Sequence, residues 1–320
     1  MFGSEIFMKY YFAPMEGVSG YIYRNAYQKH FHNIDRYFTP FIAPKKNHAM
    51  SSKEKNDVLP EHNLGMTVIP QILTNQAKYF LHTSSVLLEM GYTEVNLNLG
   101  CPSSTVVSKK KGAGFLSEPD RLEHFLEDVT EGLARLGMQL SIKTRIGMRD
   151  VEEFADILDL YNDFPLSELI IHPRLQKDLY NNTPDWNAFR QAVDTSKHVL
   201  CYNGDLFTVE AYQKFCETFP GIDCVMLGRG ILRNPCLLDQ IQQNGDVNYG
   251  KIRLFHEDVL NGYTEAFSGD KPVLFKMKEL WSHMLALFPQ GDNYAKKIRK
   301  VEHISEYKTI AAQLFDSVCV

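Results

Sequence analysis

Eight short runs of apolar or alternating residues punctuate the chain between Tyr10 and Leu227, and amphipathic or polar segments fill the gaps between them. The runs are Tyr10–Pro14, Arg36–Ile42, Thr67–Leu73, Glu94–Leu99, Gln139–Arg145, Glu168–His172, His198–Asn203 and Asp223–Leu227. They are short enough for strands. The segments Asn75–Met90, Pro119–Leu136, Val151–Asn162 and Thr208–Phe219 carry helical periodicity. Glu118-Pro119 and Thr183-Pro184 read as helix starts with proline in the first turn. His48–Asn63 is polar and reads as a loop. Eight strands alternating with helices predict a parallel (β/α)8 barrel of the TIM type.

From Gly245 the strand pattern stops. Lys251–Phe267, Val273–Phe288, Tyr294–Lys300 and Glu302–Val318 read as helices. Turn signals at Ser268-Gly-Asp270 and Pro289-Gln-Gly291 separate them. The expected division is a barrel domain over 1–243 and an all-helical bundle over 244–320. Trp281 and Phe288 are expected in the bundle core.

Composition narrows the class. The chain is 44% hydrophobic and 23% charged, which is ordinary for a globular protein. No stretch is long and apolar enough to span a bilayer, and the N-terminus lacks a signal-peptide pattern. A cytoplasmic protein without a membrane partner is expected. The six cysteines (Cys101, Cys201, Cys216, Cys224, Cys236, Cys319) show no CxxC spacing, so no metal site is expected. A net charge of −5 argues against binding nucleic acid through overall charge. Local basic surface remains open: Lys109–Lys111 and the Lys296, Lys297, Arg299, Lys300 cluster stand out.

In such a barrel, chemistry sits at the C-terminal ends of the strands. The eight exits carry Pro14-Met15, Pro44-Lys45-Lys46, Gln71, Asn98 with Cys101, Lys143 with Arg145, His172 with Arg174, Asn203-Gly-Asp205 and Gly228-Arg229-Gly230. A full ring of polar exits is hard to explain by core packing. The last two lie where barrels often hold a phosphate, with small residues and Arg229 for the charge. There is no GxGxxG after the first strand, so a Rossmann-bound dinucleotide is not indicated. Taken singly, the residues have plainer readings: Cys101 a structural cysteine, Lys143 a snorkelling strand-end lysine, His172 a satisfied core histidine, Asn203–Asp205 a capped turn.

The elements Tyr11-Phe-Ala-Pro-Met-Glu-Gly-Val18 with Arg24, Asn98-Leu-Gly-Cys-Pro-Ser103, Lys143-Thr-Arg145, His172-Pro-Arg174, Asn203-Gly-Asp205 and Gly228-Arg-Gly230, in that order, resemble the tRNA-dihydrouridine synthases. The resemblance implies an FMN-containing barrel that reduces the C5–C6 bond of particular uridines in tRNA, with NADPH or NADH as reductant. It implies that Pro14, Met15, Gln71, Lys143 and His172 face the flavin. It implies that Asn203, Asp205, Gly228 and Arg229 hold the ribityl phosphate. Asn98, Arg145 and Arg174 would contact the substrate, with Lys109, Lys296, Lys297 and Lys300 on RNA. Cys101 would be the proton donor, and the enzyme would act as a monomer. Two other readings stand beside it. One is a small-molecule flavin oxidoreductase of the dihydropyrimidine or dihydroorotate type, or an enzyme of this family acting on rRNA. The other is a catalytically silent RNA-binding protein on the same scaffold.

Overall fold

A computed structural model describes residues 7–46 and 48–318. Cys319 lies outside the described residues. The strands are β1 (Lys9–Phe12), β2 (Arg36–Phe38), β3 (Val68–Ile69), β4 (Gln71–Ile72), β5 (Glu94–Leu99), β6 (Gln139–Arg145), β7 (Glu168–His172), β8 (Leu200–Tyr202) and β9 (Cys224–Leu227). Their order in the sheet is β3-β2-β1-β9-β8-β7-β6-β5-β4. The pairings described between neighbouring strands are parallel.

The two ends of that order are halves of one strand split by Pro70. Proline has no N–H for the ladder, yet its carbonyl still accepts from Asn96 N at 2.9 Å. Ile42 bridges to Ile72 on the far side, with Ile42 N to Gln71 O at 2.7 Å and Leu73 N to Ile42 O at 2.8 Å. The ring is therefore nearly closed, and the eight expected runs make one barrel. The second run is shorter than expected because Pro40 interrupts it. β5, β6 and β7 match their expected bounds residue for residue.

The helices are α1 (Tyr21–Phe31), α2 (Ser52–Val58), α3 (Ala77–Glu89), α4 (Ser104–Val107), α5 (Pro119–Leu136), α6 (Glu153–Asn162), α7 (Trp186–Thr195), α8 (Val209–Thr218), α9 (Arg229–Arg233), α10 (Leu237–Gln243), α11 (Tyr249–Ala266), α12 (Asp270–Met284), α13 (Gly291–Lys300) and α14 (Ile304–Asp316). The segment expected to be a loop, 48–63, contains α2. Ser51 and Glu54 form a capping box at its start, which holds a polar helix without an apolar face. α7 starts later than Thr183-Pro184: Asp185 is the cap, accepting from Asn187 N and Ala188 N.

Two compact units emerge. One comprises residues 7–14, 35–46, 48–205 and 216–226, the other 15–34, 206–215 and 227–318. The second is therefore not one consecutive stretch. It takes in α1, α9 and α10 as well as α11–α14. Its core is aromatic: Trp281, Phe288 and Phe315 lie within 5.4–5.7 Å of one another. Tyr307 Oη accepts from Trp281 Nε1 at 2.6 Å and meets His256 Nε2 at 2.5 Å. Burial holds His256 down to about 3, so the imidazole is neutral and Tyr307 donates to it.

The N-terminal ends of the barrel strands hold a buried charged cluster. Tyr11 Oη donates to Glu168 Oε1 at 2.9 Å, and Arg36 lies 3.1 Å from Glu94 and 3.9 Å from Glu168. Glu94 Oε1 and Glu168 Oε2 are buried without a hydrogen-bond partner. Burial pushes Glu168 up to about 7; nearby Glu94 adds to this, while Tyr11, Arg36 and Lys9 oppose it. A carboxyl raised on folding holds a proton that the unfolded chain releases near pH 4.5. Its contribution is full below that pH and is lost as pH rises toward about 7, up to about 3 kcal/mol. Glu168→Gln keeps the acceptor for Tyr11 and removes the titration. The melting temperature of the wild type relative to this variant is expected to fall between about pH 5 and pH 8. A constant difference across that range would refute the assignment.

Candidate active site

The C-terminal exits of the barrel unit gather Gln71, Asn98, Cys101, Lys143, Arg145, His172, Arg174, Asn203 and Asp205. Alternation brings them there. On β5 and β6, Asn96 pairs with Ser141 and Asn98 with Lys143. A polar ladder runs through these strands: Asn98 Nδ2 donates to Gln71 Oε1 (2.7 Å), Gln71 Nε2 to Asn96 Oδ1 (2.8 Å), and Asn96 Nδ2 to Ser141 Oγ (3.0 Å). Asn98 Oδ1 accepts from Gly100 N and Cys101 N. Asn98 thus folds the turn that carries the cysteine, the local job for which a short amide side chain suits.

Cys101 is half-buried and not in a disulfide. Its turn is held from several sides. Its carbonyl accepts from Ala113 N at 3.0 Å. The carbonyls on either side accept from Arg145 Nε (to Gly100, 2.9 Å) and Gln176 Nε2 (to Pro102, 3.1 Å).

Arg145 is almost fully buried and has no carboxylate partner among the described residues. Its guanidinium also donates to Leu175 O and Leu179 O, and Tyr180 lies across it at 5.4 Å. Burial lowers its pKa to about 10, and Arg174's charge adds to this. The side chain expected to reach substrate is committed to backbone carbonyls and ties two exits together.

Arg174 is equally committed. It forms a two-pronged pair with Asp205, 2.9 Å on one arm, and donates to Asn181 O (3.1 Å) and Asn182 O (2.6 Å). Its Nη1 also meets His172 Nε2 at 3.0 Å. A guanidinium only donates, so that ring nitrogen accepts and the His172 proton sits on Nδ1. Asp205 is an anion already neutralised by Arg174. Asn203 Nδ2 donates to Met226 O at 2.7 Å.

Lys143 differs from its neighbours. Among the described residues its ammonium has no hydrogen-bond or ion-pair partner, although the side chain is half-buried. Burial, then the charge of Arg145, pushes it down to about 8. Near neutral pH it is still mostly protonated, so the barrel keeps an unpaired cation at β6. Such a group calls for an anion.

In the second unit, Met15 opens a tight turn. Its N–H donates to Ser19 Oγ (2.8 Å), and its carbonyl accepts from Val18 N and Ser19 N (both 3.0 Å). Lys276 of α12 donates to Gly17 O and pairs with Glu279. Gly228 precedes α9, and Arg229 lies over the Phe207 ring at 5.4 Å. Gly230 is obligatory: a Cβ there would stand 2.2 Å from Leu206 O. Lys296, Lys297, Arg299 and Lys300 project from α13, exposed and without an acidic partner among the described residues, while Ile298 is buried.

Of the lysine loop, Lys109 and Lys110 are exposed; Lys110 meets Ser117 Oγ at 3.0 Å and Glu118 at 3.8 Å. Burial lowers Lys111, with Lys109 adding to it. Two residues escape a reading of the sequence. Tyr180 is 49% exposed, its ring 6.3 Å from that of His172, and Gln176 braces the cysteine turn. Both lie close after the His172-Pro-Arg174 exit, which is the available signal.

Among the described residues no group of three His, Cys, Asp or Glu could hold a metal ion, and no helix is long and apolar enough to cross a membrane.

Comparison with known proteins gives one family. Residues 11–318 match the family described as dihydrouridine synthase (Dus). A probable tRNA-dihydrouridine synthase of Staphylococcus aureus (strain COL) is 27% identical over 70% of this chain and 68% of its own. A tRNA-dihydrouridine(16) synthase of Neisseria meningitidis serogroup B is 25% identical over 76% of this chain and 74% of its own. Among solved structures, the old yellow enzyme from Trypanosoma cruzi superposes with a TM-score of 0.54 at 11% identity, covering 81% of this chain and 94% of that one. Morphinone reductase superposes at 0.51 and 12% identity, covering 77% and 90%. At that identity the structural likeness speaks for the barrel fold.

Proposed function

The chain belongs to the dihydrouridine synthase family, and on that premise we propose that it reduces the C5–C6 bond of specific uridines in tRNA to 5,6-dihydrouridine. The observation that carries this is the unpartnered Lys143 ammonium beside a braced Cys101. One group calls for an anionic ring edge, the other can give a proton. Residues of this kind fit FMN. Bound there and reduced by NADPH or NADH, FMN would supply the hydride for uracil C6.

The protein's own part is positioning and proton supply. Lys143 would offset negative charge on the cofactor's pyrimidine edge. Gln71 and His172, each already fixed by a neighbour, would present their remaining polar atoms. Pro14 and Met15 would back the ring, and Arg229 with the Gly228 and Asn203 exits would meet the phosphate. Asp205 would act through Arg174 rather than on the phosphate, since two anions repel. Cys101 would give the proton to C5. Asn98, Arg145 and Arg174 would shape the uracil pocket by holding its walls. The uridine must leave the tRNA stack to arrive there, at a cost of about a few kcal/mol.

The stretch 244–320 would dock tRNA, the barrel of 1–243 would catalyse, and the enzyme would work as a cytoplasmic monomer. The test is a map of dihydrouridine in tRNA and rRNA from cells with and without the protein. Loss of dihydrouridine at defined tRNA positions is expected. Unchanged tRNA would refute the reading, and loss confined to rRNA would move the substrate.

The chain as a whole is acidic, so RNA affinity must come from local patches and fall with salt. Reversing Lys296, Lys297 and Lys300 to Glu is expected to weaken tRNA binding by roughly ten- to a hundredfold. Oxidation of NADPH by the bound flavin should stay at the wild-type rate. Filter binding over a salt series checks this; an unchanged affinity would place the tRNA elsewhere.

A further inference from the structure

We propose that Asn75, on the exit of β4, is a positioning residue for Cys101 and acts through the lysine loop; the proposal rests on the reading of Cys101 as the proton donor. The Asn75 amide donates to two successive carbonyls, Lys109 O at 3.1 Å and Lys110 O at 2.9 Å. One side chain can hold two neighbouring carbonyls only if the backbone between them turns. It does so at Lys110, whose φ of 52° is one that a lysine rarely adopts. Two backbone bonds close this helix-end turn, Lys110 N to Val107 O at 2.9 Å and Lys111 N to Val106 O at 3.3 Å, and the Asn75 amide ties the turn to another exit.

The turn delivers the next residues onto the cysteine. Gly112 has φ 55°, and a Cβ there would lie 2.6 Å from Cys101 O and 3.0 Å from Cys101 Cβ. Ala113 N donates to Cys101 O. Cys101 is therefore fixed on its N–H side by Asn98 and on its carbonyl side by this loop. Without Asn75 the turn keeps its own backbone bonds but loses the two donors that tie it to the β4 exit, so the loop can shift as a unit. Gly112 and Ala113 then back away from the Cys101 carbonyl and Cβ, and the cysteine is held less tightly.

The experiment compares Asn75→Ala and Asn75→Asp with the wild type. Aspartate keeps the shape and loses the donor, so both should behave alike. Alkylation of Cys101 by iodoacetamide, followed by peptide mass spectrometry across pH, is expected to accelerate about tenfold, the worth of one to two ordinary hydrogen bonds. Its pH profile should shift as well. Tryptic cleavage after Lys109–Lys111 should rise in parallel. Uridine turnover on tRNA should fall about tenfold, with NADPH oxidation by the flavin unchanged. A faster tryptic cut with an unchanged alkylation rate and profile would make Asn75 a loop brace only and overturn the proposal. If wild-type protein reduces no uridine, the functional reading fails, and the alkylation profile still decides the role of Asn75.

Discussion

Cys101→Ala is expected to slow uridine reduction by about 10²–10⁴-fold, the usual worth of a positioned acid. On the proposed function the flavin would be reduced before tRNA arrives and would need no proton from the thiol, so its reduction by NADPH should proceed at the wild-type rate. The turn is held by backbone groups: Asn98 on Gly100 N and Cys101 N, Arg145 on Gly100 O, Gln176 on Pro102 O, Ala113 on Cys101 O. None of these contacts uses the sulfur, so alanine should keep the backbone in place. The thiol also lies within the electrostatic reach of Lys143 and Arg145. Stopped-flow measurement of the two half-reactions separates the outcomes. Equal losses in both would make Cys101 a structural residue.

The barrel is legible in the sequence because its strands are short apolar or alternating runs set between helical and polar segments. Glu94–Leu99 is buried along its whole length, and its bounds can be read to the residue. Reading fails where proline cuts hydrogen bonding without cutting hydrophobicity. Pro40 and Pro70 lie inside apolar runs, so the runs look whole while the ladder is not. α2 escapes because it lacks an apolar stripe; the Ser51–Glu54 box is its readable sign. α1 escapes because its buried face is made mainly of aromatics and Arg24, with no side-chain cap at Gly20.

At the site, position is legible and partnership is not. Strand exits can be counted from sequence, so the ring of polar residues is found. Their partners come from distant strands: Gln71 joins Asn98, and Arg174 joins Asp205. A run of residues does not reveal that an arginine is already spent on carbonyls, as Arg145 is. The same blindness hides Asn75 and Gln176, since each acts on backbone far along the chain.

Arg174→Met is expected to destabilise the fold by about 3 kcal/mol, with little change in intrinsic affinity for RNA phosphate. The residue is 1% exposed and its side chain donates to five acceptors: both Asp205 oxygens, His172 Nε2, Asn181 O and Asn182 O. Methionine fills part of the volume and supplies none of these donors. Asp205 loses its Arg174 partner, and its 26% exposure lets water repay part of that cost. His172 also loses the donor that fixes its tautomer. Adding Asp205→Asn to Arg174→Met should recover part of the loss, because the stranded charge is gone; the difference from additivity measures the pair. Thermal unfolding of the two single variants and the double variant gives the cycle. A melting temperature that stays put in Arg174→Met while tRNA affinity collapses would show Arg174 acting directly on RNA and would sink this assignment.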